Sequence, residues 1–225
     1  MEIKKKINIH SRDANWIMEQ KLKNGQPLIK GAALKLIAIY DIASQQHVYA
    51  YMTLSQLLSQ IYKAKSTMQK LVGDFESLLA SNQIKLSDFN IPIKKTYEFQ
   101  IGIPLVGELM GLLEIFDKLD CLLSVADKLN LFKKGHQQYH RAISKNRGRI
   151  HKVFLNILDV NYHDLKAVTI EQYLNKDPVY FKAAKTMGVV RPAALFGALN
   201  IGIFPWLRAR NRNTVFHQLK HMEAN

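Results

Sequence analysis

The chain has 225 residues, and its 32 Lys and Arg residues against 18 Asp and Glu give a formal net charge of +14. An apolar fraction of 48% is ordinary for a globular protein, so composition excludes disorder of the whole chain and allows a substantial buried core. The excess of positive charge attracts polyanions, which makes nucleic acid the first partner to expect and an anionic membrane surface the second. A single cysteine, Cys121, and the lack of any apolar stretch long enough to span a bilayer favour a cytoplasmic protein.

The chain opens with an alternating segment that predicts a β-strand rather than a solvated basic tail. Apolar residues occupy odd positions at Ile3, Ile7 and Ile9, with Lys5 as the exception. Such alternation gives a strand one apolar face and one polar face. The polar face carries Lys4, Lys6, Asn8 and His10.

Two helices are predicted directly after this strand. The first covers 11–25, with Ser11 as its N-cap and Gly25 as its stop, and the second covers 30–45. A strand followed by two helices within residues 1–45 is the layout of a ribbon-helix-helix element, in which β-strands enter the DNA major groove.

The remainder, 46–225, is predicted to form a helical body with one further strand. Helical periodicity covers 53–80, and alternation predicts the strand from Tyr97 to Ile103. Further helices are expected around 169–177, before a stop at Gly188, and from Pro192. The predicted fold is therefore mainly α with one or two short β-strands, in one α-rich domain over 1–225. Between 105 and 130 a heptad seam predicts a central helix, through Leu105, Leu109, Leu112, Phe116, Leu119, Leu123 and Ala126.

The strongest chemical signal is a basic segment over 133–152 that contains no carboxylate. It is interpreted as a basic connector in which Gly148 gives the backbone freedom to follow phosphates. A second acid-free stretch runs from Arg208 to Lys220. The basic segment contains Lys133, Lys134, Arg141, Lys145, Arg147, Arg149 and Lys152.

Enzyme and metal signatures are weak. His136 and His140 in HQQYH have the spacing of the zinc-protease helix, but Gln137 replaces its catalytic glutamate. Asp117 and Asp120 lie three residues apart, a spacing that is commonplace on helical surfaces. Glycine-rich phosphate loops and nucleophile elbows are missing from the sequence. We therefore expect no catalytic residue, metal, cofactor or small-molecule substrate.

The two strands offer three arrangements. The N-terminal strand could pair with its copy in a second subunit and read bases with Lys4, Lys6 and Asn8. The second strand could form the ribbon instead, with an outward face of Lys94, Thr96, Glu98 and Gln100. The two strands could also pair with each other inside one chain. The first arrangement is preferred, because Glu98 would be repelled by phosphates.

Several segments resemble the AcaB-type family of conjugative-element proteins, found in integrating conjugative elements and in broad-host-range plasmids of the IncC kind. They are YEFQIGIP, FDKLD, RGRIHKVF, KTMGVVRPAALFGAL and IGIFP, and the layout of RDANWIMEQKLKNG after the first strand is also similar. The chain departs from the family pattern at QQHVYAYM, where other members carry an acidic stretch. The residues that match the pattern are Phe99, Pro104, Asp117, Met187, Gly188, Pro192 and Gly197.

The resemblance implies a bacterial DNA-binding transcriptional regulator that acts as a homodimer and activates genes for conjugative transfer. The resulting hypothesis is that the polar faces of the strands contact bases of double-stranded DNA and that Arg141, Lys145, Arg147, Arg149 and Lys152 hold phosphates. The alternative is a non-enzymatic accessory or scaffold protein that binds DNA without sequence preference, or an anionic membrane surface.

Overall fold

The computed structural model describes residues 3–132, 135–192 and 195. The elements in chain order are β1 (Ile3–Ile9), α1 (Arg12–Glu19), α2 (Leu28–Ser44), α3 (Val48–Ser81), a short 3₁₀ turn (Leu86–Asp88), β2 (Lys95–Ile101), α4 (Pro104–Lys128), α5 (His136–Leu158), α6 (Tyr162–Leu165), α7 (Ile170–Leu174) and α8 (Pro178–Met187). The predicted mainly α fold with short β-strands is confirmed. Lys133, Lys134, most of the helix expected from Pro192 and the basic stretch after Arg208 lie outside the described residues.

The chain divides into two compact units. The first contains the residues up to Ala33 together with Gln60–Leu158, and the second contains Leu34–Ser59 together with the residues from Asp159 onward. Helices α2 and α3 each contribute residues to both units. Both strands, α1, α4 and α5 belong to the first unit, where all the described DNA-contact candidates lie.

The two strands pair with each other in one antiparallel ribbon. The register aligns Ile3 with Ile101 and Ile9 with Lys95, and the backbone N–H of Lys94 extends the ladder by donating to the carbonyl of Ile9 at 2.8 Å. The preference for a ribbon made of two N-terminal strands from two subunits is therefore corrected. A strand must satisfy its backbone groups, and β2 of the same chain provides the partner.

Helix α4 forms the centre of the first unit. It packs against α1, α5 and both strands, and all seven predicted seam residues are at most 1% exposed. Met110, Leu113 and Leu122 are also fully buried, which widens the apolar surface beyond a coiled-coil seam. The prediction of a central helix is confirmed.

The first predicted helix is shorter than expected. It ends at Glu19, because the backbone from Gln20 to Leu22 pairs with Gln26 to Leu28 instead of continuing the helix. Gly25 adopts the expected left-handed conformation, with φ of +80°, but it does so in this turn.

The basic segment is helical from His136 onward, which corrects its interpretation as a connector. Helix α5 passes through Gly148 without interruption. Apolar side chains recur at helical spacing and pack into the core, which outweighs the modest helix penalty of one glycine. The buried positions are Ile143, Ile150, Val153, Phe154 and Ile157.

The second unit is held by contacts among helix ends. The hydroxyl of Tyr49 donates to the carbonyl of Gly188 at 2.9 Å, and the hydroxyl of Tyr173 donates to the carbonyl of Val190 at 3.1 Å. Gly188 caps α8 with φ of +88°, which confirms the predicted helix stop. None of the helices in the described part of the chain is long and apolar enough to cross a membrane.

Candidate nucleic-acid interface

The ribbon presents a polar surface, here called the ribbon face, to which both strands contribute. The register places Lys4 opposite Gln100, Lys6 opposite Glu98 and Asn8 opposite Thr96, and all six side chains are exposed. On the opposite face, Ile7 and Ile9 are at most 1% exposed. The two strands that the sequence offered as rivals therefore supply one continuous surface.

Side chains on the ribbon face contact one another. The Thr96 hydroxyl donates to Oδ1 of Asn8 at 2.9 Å, and the Nζ atom of Lys4 lies 3.4 Å from Oε1 of Glu98. The second contact gives Glu98 a cationic partner, which weakens its repulsion of phosphates. An exposed pair of this kind adds little to stability, so it can rearrange when a ligand arrives.

His10 and Lys94 lie at the end of the ribbon. Lys94 is exposed, whereas His10 is half-buried and turns toward α4, with its Nδ1 atom 3.0 Å from Oδ2 of Asp117. His10 thus joins β1 to the central helix. It does not continue the ribbon face as the alternation predicts, since the strand ends at Ile9.

Two buried carboxylates on α4 anchor the junction between β1 and α1. Asp117 accepts backbone hydrogen bonds from His10 and, at 2.7 Å, from Ser11. Asp120 accepts one from the N–H of Asp13 at 3.2 Å, in the first turn of α1. Both carboxylates are at most 5% exposed. Both carboxylates belong to α4 and accept hydrogen bonds from backbone N–H groups at the start of α1. Their spacing in the sequence is commonplace on helical surfaces and does not indicate this role.

Burial changes the ionisation of the groups beside this junction. It raises the pKa of Asp120 to about 6, against the lowering effect of the Ser11 hydroxyl. It also raises the pKa of Cys121 to about 12, so this packed side chain is a neutral thiol at physiological pH.

Four basic residues line one side of α5, here called the basic face. At about 100° per residue, they fall within about 80° of one another around the helix axis. Three of them are exposed and Arg149 is half-buried. They are Arg141, Lys145, Arg149 and Lys152.

Arg147 points away from this face and is part of the folded framework. Its Nη1 atom lies 3.0 Å from Oδ1 of Asp13, and its Cζ atom lies 4.7 Å from the centre of the Trp16 ring. In the structure Arg147 therefore holds α1 against α5, apart from the basic face that carries Arg149.

The two histidines of HQQYH contact each other at the start of α5. Their Nε2 atoms are 2.7 Å apart, and Nδ1 of His136 lies 2.6 Å from Oδ2 of Asp127. Among the described residues, no group of three or more His, Cys, Asp or Glu side chains is placed to hold a metal ion.

No protein-family model and no curated protein sequence matches the chain. A crystal structure of selenomethionine-containing AcaB from uropathogenic E. coli does match, with a TM-score of 0.58 and 15% sequence identity. The two chains share a fold. The similarity covers 88% of this chain and 97% of AcaB, so it extends over both compact units. At this identity the AcaB comparison establishes the architecture alone.

The structure brings most of the sequence-predicted candidates into two groups. The ribbon face gathers five of them from both strands, and the basic face gathers four from α5. Three stand apart: His10 and Arg147 contact acidic residues of the fold, and Lys94 lies just before β2. Asp117 and Asp120 are the residues that sequence reasoning missed. Their spacing in the sequence is typical of a helical surface, and only the resemblance of the FDKLD segment to AcaB-type proteins pointed to them.

Proposed function

We propose that this protein is a DNA-binding transcriptional regulator that activates genes for conjugative transfer. The observation that carries the proposal is the ribbon face, where six exposed polar side chains from two paired strands form one surface. A two-stranded antiparallel ribbon fits the major groove of B-DNA. The proposed interaction is insertion of this ribbon into the groove.

The side chains of the ribbon face have the chemistry for base recognition. Lys4 and Lys6 can donate to the O6 and N7 acceptors of guanine, and Asn8 can form two hydrogen bonds with adenine. Gln100 has the same carboxamide chemistry as asparagine, and Glu98 can accept from the amino group of cytosine. Such a combination favours selective binding over purely electrostatic binding.

The ribbon is supported rigidly enough to present these groups. Its inner face packs on α4, and Lys5 donates to Oε2 of Glu114 at 2.7 Å. At the far end, Asp117 holds the backbone of His10 and Ser11. Side chains held on a rigid scaffold lose less entropy on binding.

Activation, conjugative transfer and the homodimer are implied by the resemblance to AcaB-type proteins, and the fold shared with AcaB supports that resemblance. Pairing with β2 gives the backbone groups of β1 their hydrogen-bonding partner within the same chain, so the strand does not need a second subunit. The proposed dimer would therefore place two complete ribbons on two half-sites, and would not build one ribbon from two chains. Sedimentation velocity with and without operator DNA tests this arrangement.

A gel-shift titration against DNA fragments from the protein's own genomic neighbourhood tests the proposed function. We expect a preferred operator, and we expect Asn8→Ala to reduce discrimination between operator and random duplex by about tenfold, as the loss of one specific contact predicts. Asn90→Ala, at an exposed position before β2, is the matched control. Equal binding of the wild type to all fragments would instead support an accessory protein without sequence preference.

A further inference from the structure

Helices α3 and α5 border a groove in the first unit. Its volume is about 470 Å³, and its lining includes the buried side chains of Ala64 and Val153. Each helix contributes polar or basic side chains to the walls. These are Gln60, Lys63 and Thr67 from α3, and Arg149, Lys152 and Asn156 from α5.

The surroundings of the groove are strongly positive. The sequence contains no Asp or Glu between 60 and 73 or between 133 and 158. Lys63 and Lys152 are exposed, and neither forms an ion pair with a described residue. Three cationic side chains, those of Lys63, Arg149 and Lys152, therefore meet in one concave surface whose helical walls contain no acidic residue over 60–73 and 136–158.

Hydrogen bonds organise the walls of the groove. The Nδ2 atom of Asn156 donates to Oε1 of Gln60 at 2.7 Å, which ties the two helices together. Nη1 of Arg149 donates to Oδ1 of Asn146 at 2.7 Å, which orients the guanidinium. A guanidinium has five N–H donors, so this bond leaves others to contact a ligand.

The shape of the charged surface indicates an extended anion. From the groove, the basic face continues along α5 to Lys145 and Arg141, and the distance from Arg141 to Lys152 is about 16 Å at 1.5 Å per residue. A small anion would need donors that converge on one point. A row of cations beside a groove instead matches a chain of phosphates.

We propose that the α3–α5 groove binds the phosphodiester backbone of duplex nucleic acid, as a contact surface separate from the ribbon face. This inference rests on the proposed DNA binding and assigns to it a second surface, which includes Lys63 and Thr67 of α3. The groove contributes affinity without sequence preference, because phosphates are the same at every position.

The test uses a random-sequence duplex and the double variant Lys63→Ala/Lys152→Ala in the full chain. The matched control is Lys182→Ala/Lys185→Ala, which removes the same charge from exposed positions of α8. Each phosphate that a cation neutralises adds about 0.9 to the slope of log affinity against log salt concentration. The groove variant loses two such contacts. Between about 50 and 200 mM salt, the wild type should therefore lose about twelvefold more affinity than the groove variant. The control should retain the wild-type salt dependence.

A charge-preserving substitution distinguishes the loss of phosphate contacts in the groove from misfolding of the variant. Lys63→Arg/Lys152→Arg should restore the wild-type salt slope, and circular dichroism should show unchanged helix content in every variant. Equal salt slopes for the groove variant and the α8 control would overturn the proposal. The proposal would also be overturned if the protein bound anionic phospholipid vesicles through the groove and did not bind duplex DNA. Equal binding of the wild type to all fragments in the gel-shift test would contradict the proposed regulator and leave the groove result unaffected.

Discussion

Asp117 holds both His10 and Ser11 to the central helix. Its carboxylate accepts from the backbone N–H of His10 at 3.1 Å, lies 3.0 Å from Nδ1 of the same residue, and also accepts from the N–H of Ser11 at 2.7 Å. One buried side chain on α4 therefore fixes the point at which the ribbon ends and α1 begins.

Removal of this carboxylate should destabilise the first unit. Asp117→Ala leaves two backbone donors without their partner, and we expect a loss of about 2–4 kcal/mol in the free energy of unfolding. Asp117→Asn keeps one acceptor oxygen and should cost less. Urea denaturation measures both, with the exposed Asp74→Ala as control. Equal stability of Asp117→Ala and the control would contradict the anchoring role.

Asp120 should make the protein less stable as pH rises. Its folded pKa is raised to about 6, so between pH 4 and 6 the native state binds more protons than the unfolded chain. The contribution of Asp120 is therefore fully present below about pH 4 and is lost as pH rises through about 6, by at most about 3 kcal/mol.

Asp120→Asn keeps an acceptor for the N–H of Asp13 and cannot titrate. Relative to the wild type, its free energy of unfolding should rise between pH 4 and pH 7, as measured by urea denaturation at several pH values. Asp159→Asn, an exposed substitution, is the matched control. A difference between Asp120→Asn and wild type that stays constant with pH would show that Asp120 does not titrate in this range.

Arg147 and Lys145 should behave differently although they lie only two residues apart in α5, because they point to different sides of the helix. Arg147→Ala removes the ion pair with Asp13 and the stacking on Trp16, and we expect it to lower stability by about 1–2 kcal/mol. Lys145 is exposed on the basic face, so Lys145→Ala should leave stability unchanged and reduce the salt slope of DNA binding by about 1. Thermal unfolding and salt titrations of DNA binding separate the two effects. Unchanged stability together with a reduced salt slope in Arg147→Ala would instead support Arg147 as a phosphate contact.

Gly148→Ala should stabilise the protein. Gly148 lies inside α5, and a Cβ atom added there meets no side chain and no backbone of another element within 4 Å. Alanine has a higher helix propensity than glycine, so the expected gain is about 0.5–1 kcal/mol by chemical denaturation. Gly188→Ala is the contrasting substitution, because φ of +88° strains any residue with a Cβ. If Gly148→Ala stabilises the protein but lowers its DNA affinity, backbone freedom at this position would be needed for phosphate contact.

Thr96 should influence recognition through Asn8. Its hydroxyl donates to Oδ1 of Asn8, so Thr96→Val frees the carboxamide to rotate while it preserves the side-chain shape and the β-propensity. On the proposed ribbon mechanism, operator discrimination should fall less than in Asn8→Ala, by a few-fold. Competition gel shifts with operator and random duplex measure the ratio. Full discrimination in Thr96→Val would show that this hydrogen bond does not orient Asn8 on DNA.

Much of the candidate interface was predictable because polar and apolar residues alternate along both strands. Alternation decides which side chains share a face, so Lys4, Lys6 and Asn8 were assigned together, as were Thr96 and Gln100. Which strand pairs with which is a long-range choice between residues about 90 positions apart, and alternation contains no information about it. The same limit applies to Arg147, since its partner Asp13 lies on a different helix.

The sequence by itself determined the mainly α class, the two strands, the central helix and the strongly positive charge, because each follows from local periodicity or composition. Only the tertiary structure decided that β1 and β2 form one ribbon, that the basic segment is helical from His136 onward, and that Asp117 and Asp120 are buried caps. These outcomes depend on which surfaces meet in space. Packing against α4 sets them, through burial of apolar side chains and the requirement that buried polar groups find partners.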